Sequence, residues 1–206
     1  MDLNEVDLEK LNNTVIELPY PFETELYCLV NANHQIALAG IDQKEQEMMK
    51  YLNDSFRGED LDVWRSIELQ HRNFCDDLRR SLRSLSLVGI VTRFGHWISR
   101  LALQISPSNT RETGLVTKLG SLKGRFGEGP VKHEFFSDLI TVRDAIIHND
   151  SIAGWVYKGK TRQVADRYVQ HDEVYISDDD LTEAVQKAAD LVKWYDEKLN
   201  PLKSLS

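Results

Sequence analysis

The sequence predicts an all-α protein, an up-and-down bundle of four or more helices with a small β-like insert before the last one. Three segments carry that reading: residues 61–105, 131–148 and 181–199 each place apolar side chains in steps of three and four. The chain has 206 residues, of which 41% are hydrophobic and 28% charged, enough for one globular domain with a substantial core. No apolar run approaches the ~20 residues that cross a bilayer. The acidic start Met1-Asp-Leu-Asn-Glu5 lacks an apolar signal core, so a soluble, cytoplasmic protein is expected. Cys28 and Cys75 have no CxxC spacing and read as reduced, buried thiols.

Residues 1–21 are expected to form an N-terminal arm and residues 22–206 the helical domain. The arm holds a short helical stretch, Val6 to Leu11, and then Pro19 and Pro21, which force extended backbone. From Phe22 a helix is expected with Leu26, Leu29, Asn33, Ile36, Ala37, Ile41, Met48, Tyr51 and Leu52 on one face. Gly40 is a candidate interruption, and the turn residues from Asn53 to Gly58 end the element.

In residues 61–105 the expected seam is Trp64, Ile67, His71, Phe74, Leu78, Leu82, Leu85 and Val88. A straight helix of that length measures roughly 65 Å, so a bend is expected near Gly89 or Gly95. His71, on the seam, reads as a buried, hydrogen-bonded histidine. Arg72, Arg79 and Arg83 share a face, with Arg93 and Arg100 to one side. This stripe either meets the acidic first helix or tracks an RNA backbone. His96-Trp97 offers a base-stacking surface or a core tryptophan.

Residues 106–130 read as a mobile basic loop. Pro107, Ser108 and Asn109 stop the preceding helix, and six later Gly/Pro positions are interleaved with Lys118, Lys123 and Arg125. Glycine-rich loops cradle phosphate with backbone N–H groups, yet neither GxxxxGK[ST] nor a strand-borne GxGxxG is present. Lys123 and Arg125 are candidate substrate-binding cations. After Asp150, Trp155–Lys160 and Glu173–Ser177 have strand-like composition. Ser177 with Asp180 makes a capping box, and Asp178 and Asp179 suit a helix N-terminus. Leu181, Val185, Ala188, Leu191, Val192, Tyr195 and Leu199 form the last buried stripe, which Pro201 is expected to end.

The chemistry concentrates in Leu139-Ile-Thr-Val-Arg-Asp-Ala-Ile-Ile-His-Asn-Asp150, an apolar-backed helix with polar residues near its end. Arg143 supplies a permanent cation that forks onto phosphate oxygens, and His148 a ring that titrates near neutral pH. Five residues along an ideal helix turn by roughly 140°. Arg143 and His148 therefore converge only if the helix ends near Ile147 or a second copy supplies the other half. Asp144 and His148, four apart, share a face, either as an ordinary surface pair or with Asp144 holding the ring in one tautomer. The net charge of -8 is unevenly spread: residues 1–60 hold 13 Asp/Glu against 4 Lys/Arg, residues 61–170 hold 11 against 17, and residues 171–206 hold 9 against 4. The motif lies in the only basic part, which either forms a phosphate-binding surface or pairs with the acidic helices.

Metal chemistry finds no support in the spacing. His133-Glu134 begins like HExxH, but Ser137 occupies the fifth position, and no other cluster has metal-ligand spacing. A Ser–His–Asp triad stays open, without a GxSxG elbow to support it.

Arg143-x4-His148, with a polar residue directly after the Arg, on a late helix of an all-helical chain, resembles the R-x(4–6)-H motif of the HEPN superfamily. That resemblance implies a helical bundle that dimerises with two motifs face to face. It also implies a metal-independent endoribonuclease of toxin–antitoxin or phage-defence type, needing no cofactor. Arg143, Asp144 and His148 would be catalytic, and Asn149 would donate to a phosphate oxygen. The implied partners are a second copy, RNA and an antitoxin or regulatory protein. The alternative is a non-catalytic HEPN-like module that binds a nucleotide or protein and dimerises.

Overall fold

One helix supplies the apolar stripe that fills the middle of the molecule. The computed structural model describes residues 26, 33–55, 61–105 and 114–203, the side chains of 200–203 excepted. Among them are five α-helices: α1 (Gln35–Ser55), α2 (Leu61–Ile105), α3 (Leu115–Phe126), α4 (His133–His148) and α5 (Asp178–Lys203). Helix α2 touches each of the other four. Its second half buries Leu87, Ile90, Val91, Phe94, Ile98, Leu101 and Ala102. Phe94 stacks on Phe136 of α4 at 4.3 Å between centroids, and Phe135 meets Phe136 edge-on at 5.3 Å. From α5, Leu181, Ala188, Leu191, Val192, Tyr195 and Leu199 complete the core as their spacing predicts, with Ala184 fully buried and the expected Val185 partly buried beside it. The all-α bundle with a small β insert before the last helix is thus the observed fold. No helix among the described residues is long and apolar enough to cross a membrane.

The first half of α2 has α1 beside it. Asp42 and Glu45 lie against Arg79 while His34 lies against Ser86, so the two helices run antiparallel. Gly40 does not interrupt α1, and α2 is unbroken through Gly89 and Gly95. The expected seam is corrected here. Phe74 is 59% exposed and Leu85 67% exposed, and Leu78 is exposed too. Polar contacts turn a different face inward. Half-buried His71 pairs its Nε2 with the Sγ of buried Cys75 at 3.6 Å, and Arg79 donates to Asp42, Glu45 and Asp76. The arginine stripe therefore meets the acidic first helix at Arg79. Arg83 instead turns to Asp178 of α5, at 3.0 Å, and Arg72 to Glu68 of its own helix, at 2.9 Å.

The segment read as a loop holds helix α3. Leu115, Lys118, Leu119 and Leu122 recur at helical spacing and face inward. Each interior glycine costs about 1 kcal/mol of helix propensity, whereas full burial of one leucine returns about 1.5–3 kcal/mol. Leu119 and Leu122 therefore outweigh Gly120 and Gly124. At Gly95, a Cβ would stand 3.2 Å from the Leu115 side chain, so the bare backbone lets α3 approach α2. Gly129, at φ 76°, turns the chain between α3 and α4 against Leu191 and Trp194.

Beyond α4 the insert is a pair of hairpins. β1 (Gly154–Tyr157) pairs antiparallel with β2 (Lys160–Gln163) across Lys158-Gly159, whose φ values of 49° and 73° mark a primed turn. β3 (Val169–Gln170) and β4 (Glu173–Val174) pair across His171-Asp172, at 53° and 65°. The expectations for the N-terminal arm, the helix start at Phe22, Cys28 and Pro107–Asn109 lie outside the described residues. At the other end, α5 continues through Pro201 to Lys203, beyond the expected stop.

Two clamps fix the ends of α5. Ser177 Oγ accepts from Asp180 N at 3.1 Å, and Asp180 Oδ2 accepts from Ser177 N at 2.9 Å, closing the capping box. Ile176 and Leu181, the staple positions around that box, are both buried. Near the other end, the buried Tyr195 hydroxyl lies 2.8 Å from His133 Nε2, at the start of α4. Ser177→Ala should lower unfolding stability by about 1 kcal/mol, read from urea denaturation, with Ser177→Asp recovering most of it.

A pH dependence follows from the second clamp. Burial, and then the nearby Lys123 ammonium, holds the His133 ring below its ordinary 6.5, with Glu128 opposing. The unfolded chain takes up a proton that the folded chain refuses until lower pH. Stability is therefore complete above about pH 6.5 and lost as pH falls through the folded-state value. Between about pH 7.5 and about pH 5.5, the wild-type denaturation midpoint should fall more steeply than that of His133→Gln. Equal slopes would contradict this assignment.

Candidate functional site

Helix α4 is anchored by Phe136, Leu139, Ile140, Val142 and Ala145, which bury its inner face. That packing fixes where the motif residues emerge. Arg143 leaves the helix half-buried and pairs with its neighbour: Nη2 donates to Asp144 Oδ1 at 2.6 Å, and Nε to the same oxygen at 3.1 Å. Asp144 Oδ1 is thus engaged by Arg143. His148 is the last residue of α4 and is exposed, with the half-exposed Ile147 beside it.

Asn149 caps the helix. Its backbone N–H reaches Ala145 O at 3.0 Å, and its side-chain amide donates to Ile152 O at 3.0 Å. The amide thus closes the turn after α4. Asp150 and Ser151 follow at φ 49° and 65°, and Val174 N donates to Ser151 O at 2.7 Å. The end of the motif helix is therefore tied to β4. Of the two loop cations, Lys123 pairs with Glu128 at 2.7 Å, and Arg125 sits exposed in the last turn of α3.

Arg143 reaches a second environment. It lines an open pocket of about 720 Å³ between α2 and α3. The α2 wall is a single stripe at helical spacing, with Gly95, His96, Ser99, Arg100 and Leu103 among its members, and α3 adds Leu115 and Lys118. Four of the described lining residues are basic, namely His96, Arg100, Lys118 and Arg143, and none is acidic. Lys118 is only 5% exposed. Its ammonium donates to Ser99 Oγ at 3.0 Å, and that hydroxyl in turn donates to Gly95 O at 2.7 Å. His148 is not among the described lining residues, so the fold brings Arg143 to the pocket without bringing His148 to it.

Sequence reasoning placed His96 and Arg100 on the right helix and Lys118 among glycines, but it did not join them. The signal was present in the i, i+3, i+4, i+7 spacing of His96, Ser99, Arg100 and Leu103. The junction itself depends on α3 folding back along α2.

A Ser–His–Asp series does occur in the structure, away from the motif. His34, 1% exposed, bridges Ser86 Oγ at 2.9 Å and Asp178 Oδ1 at 3.1 Å. Arg83 also donates to Asp178, and this contact does most to hold that carboxyl below its usual range. Ser86 lies inside the unbroken α2, and neither open pocket among the described residues is lined by Ser86 or His34. The arrangement ties the start of α1 to α2 and α5. Among the described residues, no group of three or more His, Cys, Asp and Glu side chains is placed to hold a metal ion.

No protein-family model, curated protein or solved structure matches this chain.

Proposed function

We propose that the chain is a HEPN-like, metal-independent endoribonuclease of toxin–antitoxin or phage-defence type. It would act as a homodimer on RNA and be restrained by an antitoxin or regulatory protein. One observation carries the reading: Arg143 stands at the wall of a basic pocket, on the same short helix that ends in exposed His148. A guanidinium beside a phosphate and a ring able to move a proton are the two parts that phosphodiester cleavage requires.

In the proposed reaction, His148 takes the proton from a ribose 2′-hydroxyl as that oxygen attacks phosphorus. Arg143 stabilises the charge developing on the pentacoordinate phosphorus. The bond to the 5′-oxygen breaks, and a protonated His148 from the second copy returns a proton to the leaving oxygen. The products are a 2′,3′-cyclic phosphate and a 5′-hydroxyl. Asp144 aligns the guanidinium. The exposed Ile147 beside His148 supplies apolar surface for the contact between copies.

A second reading, a non-catalytic HEPN-like nucleotide- or protein-binding dimerisation module, is favoured by one specific observation. Arg143 is already engaged by Asp144, and His148 stands apart from the pocket that Arg143 lines. Purified protein incubated with single-stranded RNA and chelator separates the two. The nuclease reading expects chelator-resistant cleavage, reduced on the order of 10²–10³-fold in Arg143→Ala and lost in His148→Ala. RNA retention without cleavage by the wild type would favour the binding module.

A further inference from the structure

We propose that the pocket between α2 and α3 is a phosphoryl-binding site whose seat is the buried Lys118 ammonium. An ammonium has three N–H donors and no acceptor. Lys118 uses one on Ser99, whose own proton is committed to Gly95 O, and the remaining two have no acceptor among the described residues. Elsewhere in the described structure, the cations that leave solvent do so against a carboxylate: Arg79 on Asp42 and Glu45, Arg83 on Asp178, Lys187 on Glu183. Lys118 is more buried than any of these and, among the described residues, has only a hydroxyl. A buried charge without a counter-charge is unfavourable unless an anion completes it.

The geometry around it points to the same ligand. Helix α3 starts at the pocket, with Gly114 and Leu115 in the lining, and Gly114 makes no side-chain cap. The positive dipole end of that helix therefore belongs to the site. Arg100 and His96 stand exposed on the α2 side, and Arg143, half-buried, lines it from the α4 side. A volume of about 720 Å³ is ample for a nucleotide or a short run of RNA backbone. The ligand is a phosphoryl group, either the terminal phosphate of a mononucleotide or an internal phosphodiester. The inference rests on the ribonuclease reading only in taking RNA as the source of the phosphodiester.

The test is equilibrium binding to the full chain, using inorganic phosphate, 5′-AMP, adenosine and a 2′-O-methyl RNA hexamer with free 5′- and 3′-hydroxyls. The wild type should bind phosphate and 5′-AMP, not adenosine, with affinity falling as salt rises. Lys118→Met, an apolar replacement of similar length, should weaken phosphate and 5′-AMP binding at least tenfold. Should that variant fail to fold, Arg100→Gln at the exposed rim is expected to weaken binding severalfold. Tighter binding of the hexamer than of 5′-AMP would identify the internal phosphodiester, and the reverse the terminal phosphate. Equal affinity for adenosine and 5′-AMP, no binding of any phosphate probe, or undiminished binding by a folded Lys118→Met would overturn the site. RNA cleavage without phosphate binding would remove the seat and leave the nuclease; phosphate binding without cleavage would do the opposite.

Discussion

Burial of the stripe from Leu87 to Ala102 on α2 is the contact on which the rest of the described structure depends. Helices α3, α4 and α5 each cover part of it, and among the described residues none has another apolar surface of comparable extent to pack against. At about 0.8 kcal/mol per buried methylene, this stripe offsets the features that run against helix formation. Those include the glycines of α3 and the close approach at Gly95. It also fixes the rotation of α4, because Phe136 must stack on Phe94. Once Phe136, Leu139 and Val142 face inward, Arg143 emerges toward α2 and α3.

The same helix carries polar chemistry on a neighbouring stripe. His96, Ser99 and Arg100 lie alongside Phe94, Ile98 and Leu101, so the wall of the pocket is the flank of the core. Ser99 serves both sides: its hydroxyl binds back to its own helix at Gly95 and holds the Lys118 ammonium. A site built this way is rigid, since its side chains stand on an element that the core already immobilises.

Charge is sorted along the molecule by the same logic. The acidic side chains of α1 and the start of α5 meet Arg79 and Arg83 on the first half of α2, where His34 joins Ser86 to Asp178. The second half of α2 turns Arg100 to a wall with no acidic residue among its described members. Net charge thus describes the chain poorly; the pairing of acids with one half of α2 leaves the other half basic. In the proposed function, that remainder receives the phosphate.

Local pattern alone determined the helical class, the hairpin composition after Asp150, the capping box at Ser177 and the buried stripe of α5, because each is set by neighbours within a few positions. Three features needed the tertiary structure. Residues 115–126 looked like loop because glycine propensity is a local quantity, whereas burial of Leu119 and Leu122 is not. The seam of α2 shifted away from Phe74, Leu78 and Leu85 because Arg79 and Arg83 found acids on other helices. The placement of Arg143 and Lys118 on the wall of one pocket was likewise decided in space. Spacing along one helix states which side chains share a face, but which face another helix will cover depends on packing between segments distant in the chain.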